Sequence, residues 1–219
     1  MGKLTFDIAI SLDGYLAGPN QSKELPLGEG GEAIHEWMFA LASFNEQHGR
    51  SGGETNADSE VLDESVRNLG AYLMGRNMFG GGEGPWGSDP AFGDSWSGWW
   101  GDDPPYHLPV FVLTHHKREP LEMEGGTTFH FVTDGIEAAL ERARDAAGEK
   151  DVRIAGGADV VRQYLKAGLV DDFQIHVSPL MLGGGTTLFG DLGEDAPGVE
   201  LSGTVASPAV THMTYRVVK

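Results

Sequence analysis

The sequence predicts an α/β protein built on a mostly parallel twisted sheet with an antiparallel C-terminal edge. Three observations predict it. Leu4, Phe6, Ile8 and Ile10 alternate with Thr5, Asp7 and Ala9 at the period of a strand. Short apolar runs then alternate with helical stripes through the middle of the chain, and the last 20 residues read as two strands around Ser207-Pro208-Ala209.

Taken in order, the first strand stops at the turn Ser11-Leu12-Asp13-Gly14, and Tyr15-Leu16-Ala17 resumes briefly before Gly18-Pro19-Asn20. Ala33, Ile34, Trp37, Met38 and Leu41 recur at helical spacing and predict one helix from about Glu32, its acids suiting the helix dipole. Residues 43–60 are polar and are expected to form a mobile surface loop, followed by a short helix over 61–69. Ala71-Tyr72-Leu73-Met74 reads as a buried strand running into Gly75-Arg76-Asn77. Residues 80–108 read as a loop insertion, rich in glycine and holding Trp86, Trp96, Trp99 and Trp100; loops this long usually serve binding or are disordered. Residues 109–113 and 128–132 are strands. Asp134 and Glu137 predict a capping pair for a helix carrying Ile136, Ala139, Leu140, Ala143 and Ala147, which Gly148 stops. A strand over 152–155 enters Gly156-Gly157, and a helix with Val160, Val161, Tyr164 and Leu165 ends at Gly168. Phe173, Ile175 and Val177 alternate in the next strand, and the closing hairpin spans about 199–218.

Composition bounds the function. The 219 residues carry 33 Asp+Glu against 15 Lys+Arg, a formal net charge of −18, which disfavours a nucleic-acid partner because phosphate neutralisation needs a basic face. The absence of cysteine excludes disulfides, thiol catalysis and cysteine-ligated metal centres. No apolar run approaches the ~20 residues of a membrane span, and no signal-peptide core follows Met1. The expectation is one domain over residues 1–219, cytoplasmic, with a small-molecule substrate and no membrane partner.

Chemistry concentrates where strands run into glycine. Leu73-Met74-Gly75-Arg76 and Ile154-Ala155-Gly156-Gly157-Ala158 each combine a strand end, a glycine that lets a phosphate approach the backbone, and the amides of a helix start. Arg76 would add a guanidinium beside the anion. Thr114-His115-His116-Lys117-Arg118 is the most basic pentad of an acidic chain and a candidate phosphate recess, the alternative being a solvated loop. Residues 20–105 hold 15 acids against 4 bases, so attraction of an anionic cofactor has to be local.

Together these segments are identified with a family. Ser11-Leu12-Asp13-Gly14, Met74-Gly75-Arg76, Val112-Leu113-Thr114-His115, Gly156-Gly157-Ala158-Asp159-Val160-Val161 and the run from Val177 to Gly185 resemble, in order and over nearly the whole chain, the dihydrofolate reductase-like superfamily. The likeness is greatest to the reductase domain of the bifunctional deaminase-reductase of riboflavin biosynthesis. The resemblance implies a three-layer fold with helices on both faces of the sheet, NADPH as cofactor, and a homodimer joined through the C-terminal strands. It implies cofactor contacts at Ala9 and Leu16 near the nicotinamide and at Gly75, Arg76 and Asn77 on the pyrophosphate. It also implies Leu113, Thr114 and His115 by the 2′-phosphate, and Gly156, Gly157, Ala158, Asp159 and Val160, with a cis peptide between the two glycines. A carboxylate of the first helix protonates the pterin in folate reductases; here Ala33 takes the aligned position, flanked by Glu32 and Glu36. Where the riboflavin-type enzymes are arginine-lined, this chain has only Arg50 and Arg67 among many acids.

Asp13 and Glu36 are the candidate proton donors, and Trp37 a candidate substrate contact. Each has a plainer reading: Asp13 as a turn cap beside Gly14, Trp37 as core on an apolar helix stripe. The loop tryptophans read equally as lid, dimer interface or local packing. No metal is expected, since His115 and His116 are adjacent at a strand end and no HExxH pattern occurs. The competing function is a catalytically silent sensor or tolerance protein that binds a nucleotide or heterocycle.

Overall fold

A computed structural model describes residues 2–219. In chain order the elements are β1 (Leu4–Ser11), β2 (Tyr15–Ala17), a 3-10 turn (Gly31–His35), α1 (Glu36–Phe39), α2 (Ala42–Gln47), α3 (Ala57–Val66), β3 (Leu69–Gly75), α4 (Arg76–Phe79), β4 (Pro109–Leu113), β5 (Leu121–Glu122) and β6 (Thr128–Val132). They continue with α5 (Ile136–Ala147), β7 (Asp151–Gly156), α6 (Ala158–Lys166), β8 (Asp172–Ser178), β9 (Thr186–Thr187), β10 (Gly198–Ala206) and β11 (Thr211–Val218). The chain forms two compact units, the first comprising residues 2–4 and Asn68–Tyr164, the second Thr5–Arg67 and Leu165–Lys219.

The first unit is the parallel α/β part. Its strands run in the order β7-β3-β4-β6-β5, with only β5 antiparallel. β3 is buried along its whole length, because both faces of this sheet are covered. Ala139, Leu140, Ala143 and Ala147 of α5 are the buried stripe of that helix. Tyr72, Met74, Val110, Val112 and Phe129 form a core cluster against which Trp86, Trp96 and Trp100 of the long loop pack. The tryptophan-rich segment is therefore local packing, an irregular layer that covers apolar sheet residues.

The second unit holds the strands β10-β11-β8-β1, with β8 parallel to β1 and the other two pairings antiparallel, and a separate β2–β9 pair. Both faces of β1 are covered here as well: Phe6 stacks on Phe173 at 4.5 Å between ring centroids, while Ala9 and Ser11 on the opposite face are also buried.

Three local expectations need correction. The single helix expected from Glu32 is broken into the 3-10 turn, α1 and α2. Leu41 takes extended backbone angles and bridges Glu54, burying its side chain without continuing the helix. Residues 43–60 are not a loop throughout: α2 occupies their start, and α3 begins at Ala57 on a capping box in which Asn56 accepts from the Asp58 and Ser59 amides and Ser59 reciprocates. Asp134 does not cap α5. Gly135 holds that position without a side-chain bond, and the Asp134 carboxylate takes the Arg142 guanidinium at 2.5 Å instead.

Candidate active site

In the first unit three strand ends meet at one edge. β3 lies between β7 and β4, all parallel, with Met74 opposite Gly156 and Gly75 opposite Leu113. Gly75, Leu113, Thr114, Gly156 and Gly157 are thus brought together as expected. The Gly156–Gly157 peptide is cis. A β-carbon on Gly75 would stand 2.8 Å from Val160 Cγ2, so this glycine permits close packing of the α6 start against β3. A β-carbon on Gly157 would meet nothing within 4 Å, which leaves its backbone open to a ligand. The third junction is not a strand-to-helix turn, because β4 leads through Thr114–Arg118 into β5. There Thr114 is buried, its hydroxyl accepting from the His116 amide at 3.2 Å, while His115 and Lys117 are exposed. Asn77 is exposed at the start of α4, and Asp159 pairs with Arg162, so Ala158, Asp159 and Val160 offer backbone amides to this edge.

The two arginines beside this edge are engaged differently from expectation. Arg76 donates to the carbonyls of Gly84 (2.7 Å) and Gly81 (3.2 Å), and its guanidinium carbon lies 3.9 Å from the Trp86 ring centroid. Arg118 donates to the Trp96 carbonyl at 2.5 Å and lies 4.8 Å from the same Trp86 ring. Trp86 is pinned in turn by its indole N–H on the His116 carbonyl at 2.8 Å. Cation–π attraction to one indole holds both cations. Burial pushes both arginine pKa values down, and the Arg76 charge adds to that effect on Arg118. Arg76 and Arg118 are thus loop anchors in this conformation, not free phosphate ligands.

In the second unit Ala9 is buried on β1, and Leu16 is half-buried on β2. Asp13 is exposed and acts as a turn clamp. Its carboxylate accepts from the Ser11 hydroxyl (2.6 Å) and from the amides of Gly183 (2.7 Å) and Leu182 (3.1 Å). These bonds, the Ser11 hydroxyl foremost, hold its pKa below the ordinary carboxylate range, so it is ionised at neutral pH and unsuited to donate a proton. Glu36 is exposed at the start of α1. Trp37 is 7% exposed in a core cluster with Leu41 and Val210, yet its indole N–H has no acceptor among the described residues.

Beneath Trp37 lies a polar chain that the sequence reading missed. Asp7 on β1 bonds His176 Nε2 on β8; His176 Nδ1 faces His212 Nδ1 on β11 at 2.5 Å; His212 Nε2 meets Asp58 Oδ1 on α3 at 3.0 Å. The Trp37 ring packs on both imidazoles, at 5.1 Å between centroids in each case. A hint was present in the sequence: Asp7 and His176 sit mid-strand in β1 and β8, and His212 near the start of β11.

The sequence model of the RibD C-terminal domain matches residues 2–213. Among curated proteins, the uncharacterized protein YyaP of Bacillus subtilis is 23% identical over 196 residues, 87% of this chain and 81% of that protein. The uncharacterized protein YwjB of the same organism is 35% identical over 74 residues, 34% of this chain and 41% of its own. A putative riboflavin biosynthesis protein from Shewanella sp. PV-4 shares the fold at a TM-score of 0.63 and 22% identity, 99% of each chain being covered. Dihydrofolate reductase from Enterococcus faecalis, solved with NADP(H), aligns at 0.53 and 15% identity over 100% of this chain and 98% of that one.

Proposed function

The chain belongs to the RibD C-terminal domain family, and from that premise we propose that it is an NADPH-dependent reductase of small heterocycles of pterin or aminopyrimidine type. The reading treats residues 1–219 as one reductase-like domain with the 80–108 loop as an insertion. The observation that carries it is the convergence of Gly75, Thr114 and Gly156-Gly157 on adjacent parallel strand ends, where open α/β sheets bind ligands. The open space over Gly157 fits the backbone approach that a pyrophosphate requires. The bound dinucleotide would supply the hydride for a C=N or C=O carbon. Gly75, Asn77 and the Gly156–Val160 segment would hold its phosphates through backbone amides, and Thr114, His115 and Lys117 would meet the ribose phosphate. Ala9 and Leu16 keep the nicotinamide role that the resemblance implies. The protein's task is to hold donor and acceptor in a near-attack arrangement and exclude water. Titration of the intrinsic tryptophan fluorescence with NADPH and NADH tests this: saturable binding is expected, and no binding of either at submillimolar levels defeats it.

One observation favours the silent-binder alternative, namely that Arg76 and Arg118 are already held by the loop. That reading predicts nucleotide binding without turnover. Spectrophotometric NADPH consumption across pterins, aminouracil ribitides and quinonoid compounds separates the two.

The partner would be a second copy. All nine residues of β10 are exposed, with Val199 and Leu201 among its apolar side chains. A long apolar edge strand is a liability that pairing removes. Light scattering should give a dimer mass, and Val199→Asp with Leu201→Asp should halve it.

A further inference from the structure

Asp7, His176, His212 and Asp58 make three contacts in series, each between groups that need one proton to attract. Two bare Nδ1 lone pairs at 2.5 Å would repel, so one of them carries hydrogen. Each Nε2–carboxylate contact likewise holds one proton, on the nitrogen or on the oxygen. The chain therefore stores three protons and a net charge of −1, wherever along it the charge sits. Shifting each proton within its own hydrogen bond moves that charge from one end to the other without changing the count. The exposure pattern suits transport: the Asp7 and Asp58 side chains are 9% and 6% exposed, the imidazoles between them 3% and 0%. Burial lowers the His212 pKa.

Two further observations point to a ligand at this end. The Trp37 indole N–H, beside the chain, is buried and lacks an acceptor among the described residues. Asp7 also lies two residues from Ala9 on the same face of β1.

The geometry points to a proton wire, Asp58–His212–His176–Asp7, that delivers the proton of the reduction, with Asp7 as donor to the substrate. This rests on the reductase reading. Were a hydride added to the carbon of a C=N bond, the π pair would become a lone pair on nitrogen, and that nitrogen would take a proton from the Asp7 carboxyl. The delivered proton is a fourth, carried on the Asp7 oxygen that does not face His176; as it leaves, His176 Nε2 passes its proton to Asp7, His212 Nδ1 passes one to His176 Nδ1, Asp58 passes one to His212 Nε2, and solvent returns one to Asp58. The substrate would gain one hydride and one proton in all, the hydride being the two-electron chemistry that a bound reduced dinucleotide would supply. The groups that face the wire are Asp7 from β1, His176 from β8, His212 from β11, Asp58 from α3, and His35 with Glu32 from the 3-10 turn.

The test has two arms. In the ligand-free protein, ¹⁵N-histidine NMR should show three ring or carboxyl protons in the chain at pH 7, one strongly deshielded between the two Nδ1 atoms; two protons would overturn the wire. Kinetically, Asp58→Asn should lower kcat by about 10²-fold and shift its pH profile, leaving KM and dinucleotide affinity unchanged. Small buffer acids should restore turnover, and Asp58→Glu should rescue it. His212→Gln serves as second variant, with folding checked by circular dichroism. Folded variants whose pH profiles superimpose on wild type would reduce the chain to a structural network. Failure of either dinucleotide to bind would instead remove the reductase reading itself, so the two failures are distinguishable.

Discussion

The two units solve the same problem, covering a sheet face, with opposite chemistry. In the first, an irregular glycine-rich loop lays Trp86, Trp96 and Trp100 on Tyr72, Met74, Val112 and Phe129, and two arginines tie it down through one indole and three carbonyls. In the second, Trp37 covers two buried imidazoles held between two carboxylates. Aromatic packing is additive and tolerant, because each ring contributes its own buried area. A buried polar chain is neither, since removing one member strands the next in a low-dielectric core. The loop can therefore give way locally, whereas the histidine chain fails as a unit.

The sharpest way to break the contrast is at Asp58. Asp58→Ala leaves His212 Nε2 without its carboxylate partner and should cost about 3 kcal/mol in urea unfolding, the upper end of the penalty for a buried polar group left unpaired. A loss under 1 kcal/mol would show that water reaches the chain and that the contrast is false.

Trp86→Ala is the matching change in the first unit. Trp86 is only half-buried, so the expected loss is about 2–3 kcal/mol, below that of a full core deletion. Its second effect matters more. Freed of the indole, Arg76 and Arg118 become available at the Thr114 edge, and affinity for NADPH should rise relative to NADH in the same fluorescence titration. Equal affinities for the two dinucleotides in wild type and variant would mean that these arginines are structural only.

Trp96→Phe removes the indole N–H that donates to the Phe79 carbonyl at 3.0 Å while keeping much of the ring contact. The expected cost is about 1 kcal/mol, adding to that of other loop variants, as independent sites do. Strong coupling to Asp58→Ala would contradict the division between the regions.

The same division explains what was legible in the sequence. Strands with local patterns, such as Pro109–Leu113 and Thr128–Val132, were readable to the residue, because alternation and apolar runs are short-range. The break at Leu41 was not, since its side chain satisfies helical spacing while its backbone turns toward Glu54. Arg76 was found as a site residue, but the partner that claims it is ten positions on, and nothing in the spacing selects Trp86 over a phosphate. The wire was invisible for a stronger reason. Asp7 and His176 are 169 residues apart and His212 and Asp58 154; the register of β1, β8 and β11 brings the first three together, and the packing of α3 adds Asp58.

The smallest expected effect is in the acid limb of stability. Burial lowers the pKa of His35 and His212 in the second unit and of His130 in the first. A histidine depressed below its unfolded value of 6.5 leaves the unfolded chain binding more protons, so stability is complete above 6.5 and falls as the pH drops through the folded value. For His212 the physical event is definite: a further proton on the imidazole pair makes both Nδ1 atoms donors, and their contact is lost. His212→Gln should therefore flatten the decline below pH 6.5, by at most about 1.4 kcal/mol per pH unit for one proton. Trp86→Ala should leave the slope unchanged while lowering the whole curve. If the loop variant also flattens the decline, the titrating groups belong to both regions, and the polar chain does not act as a separate proton store.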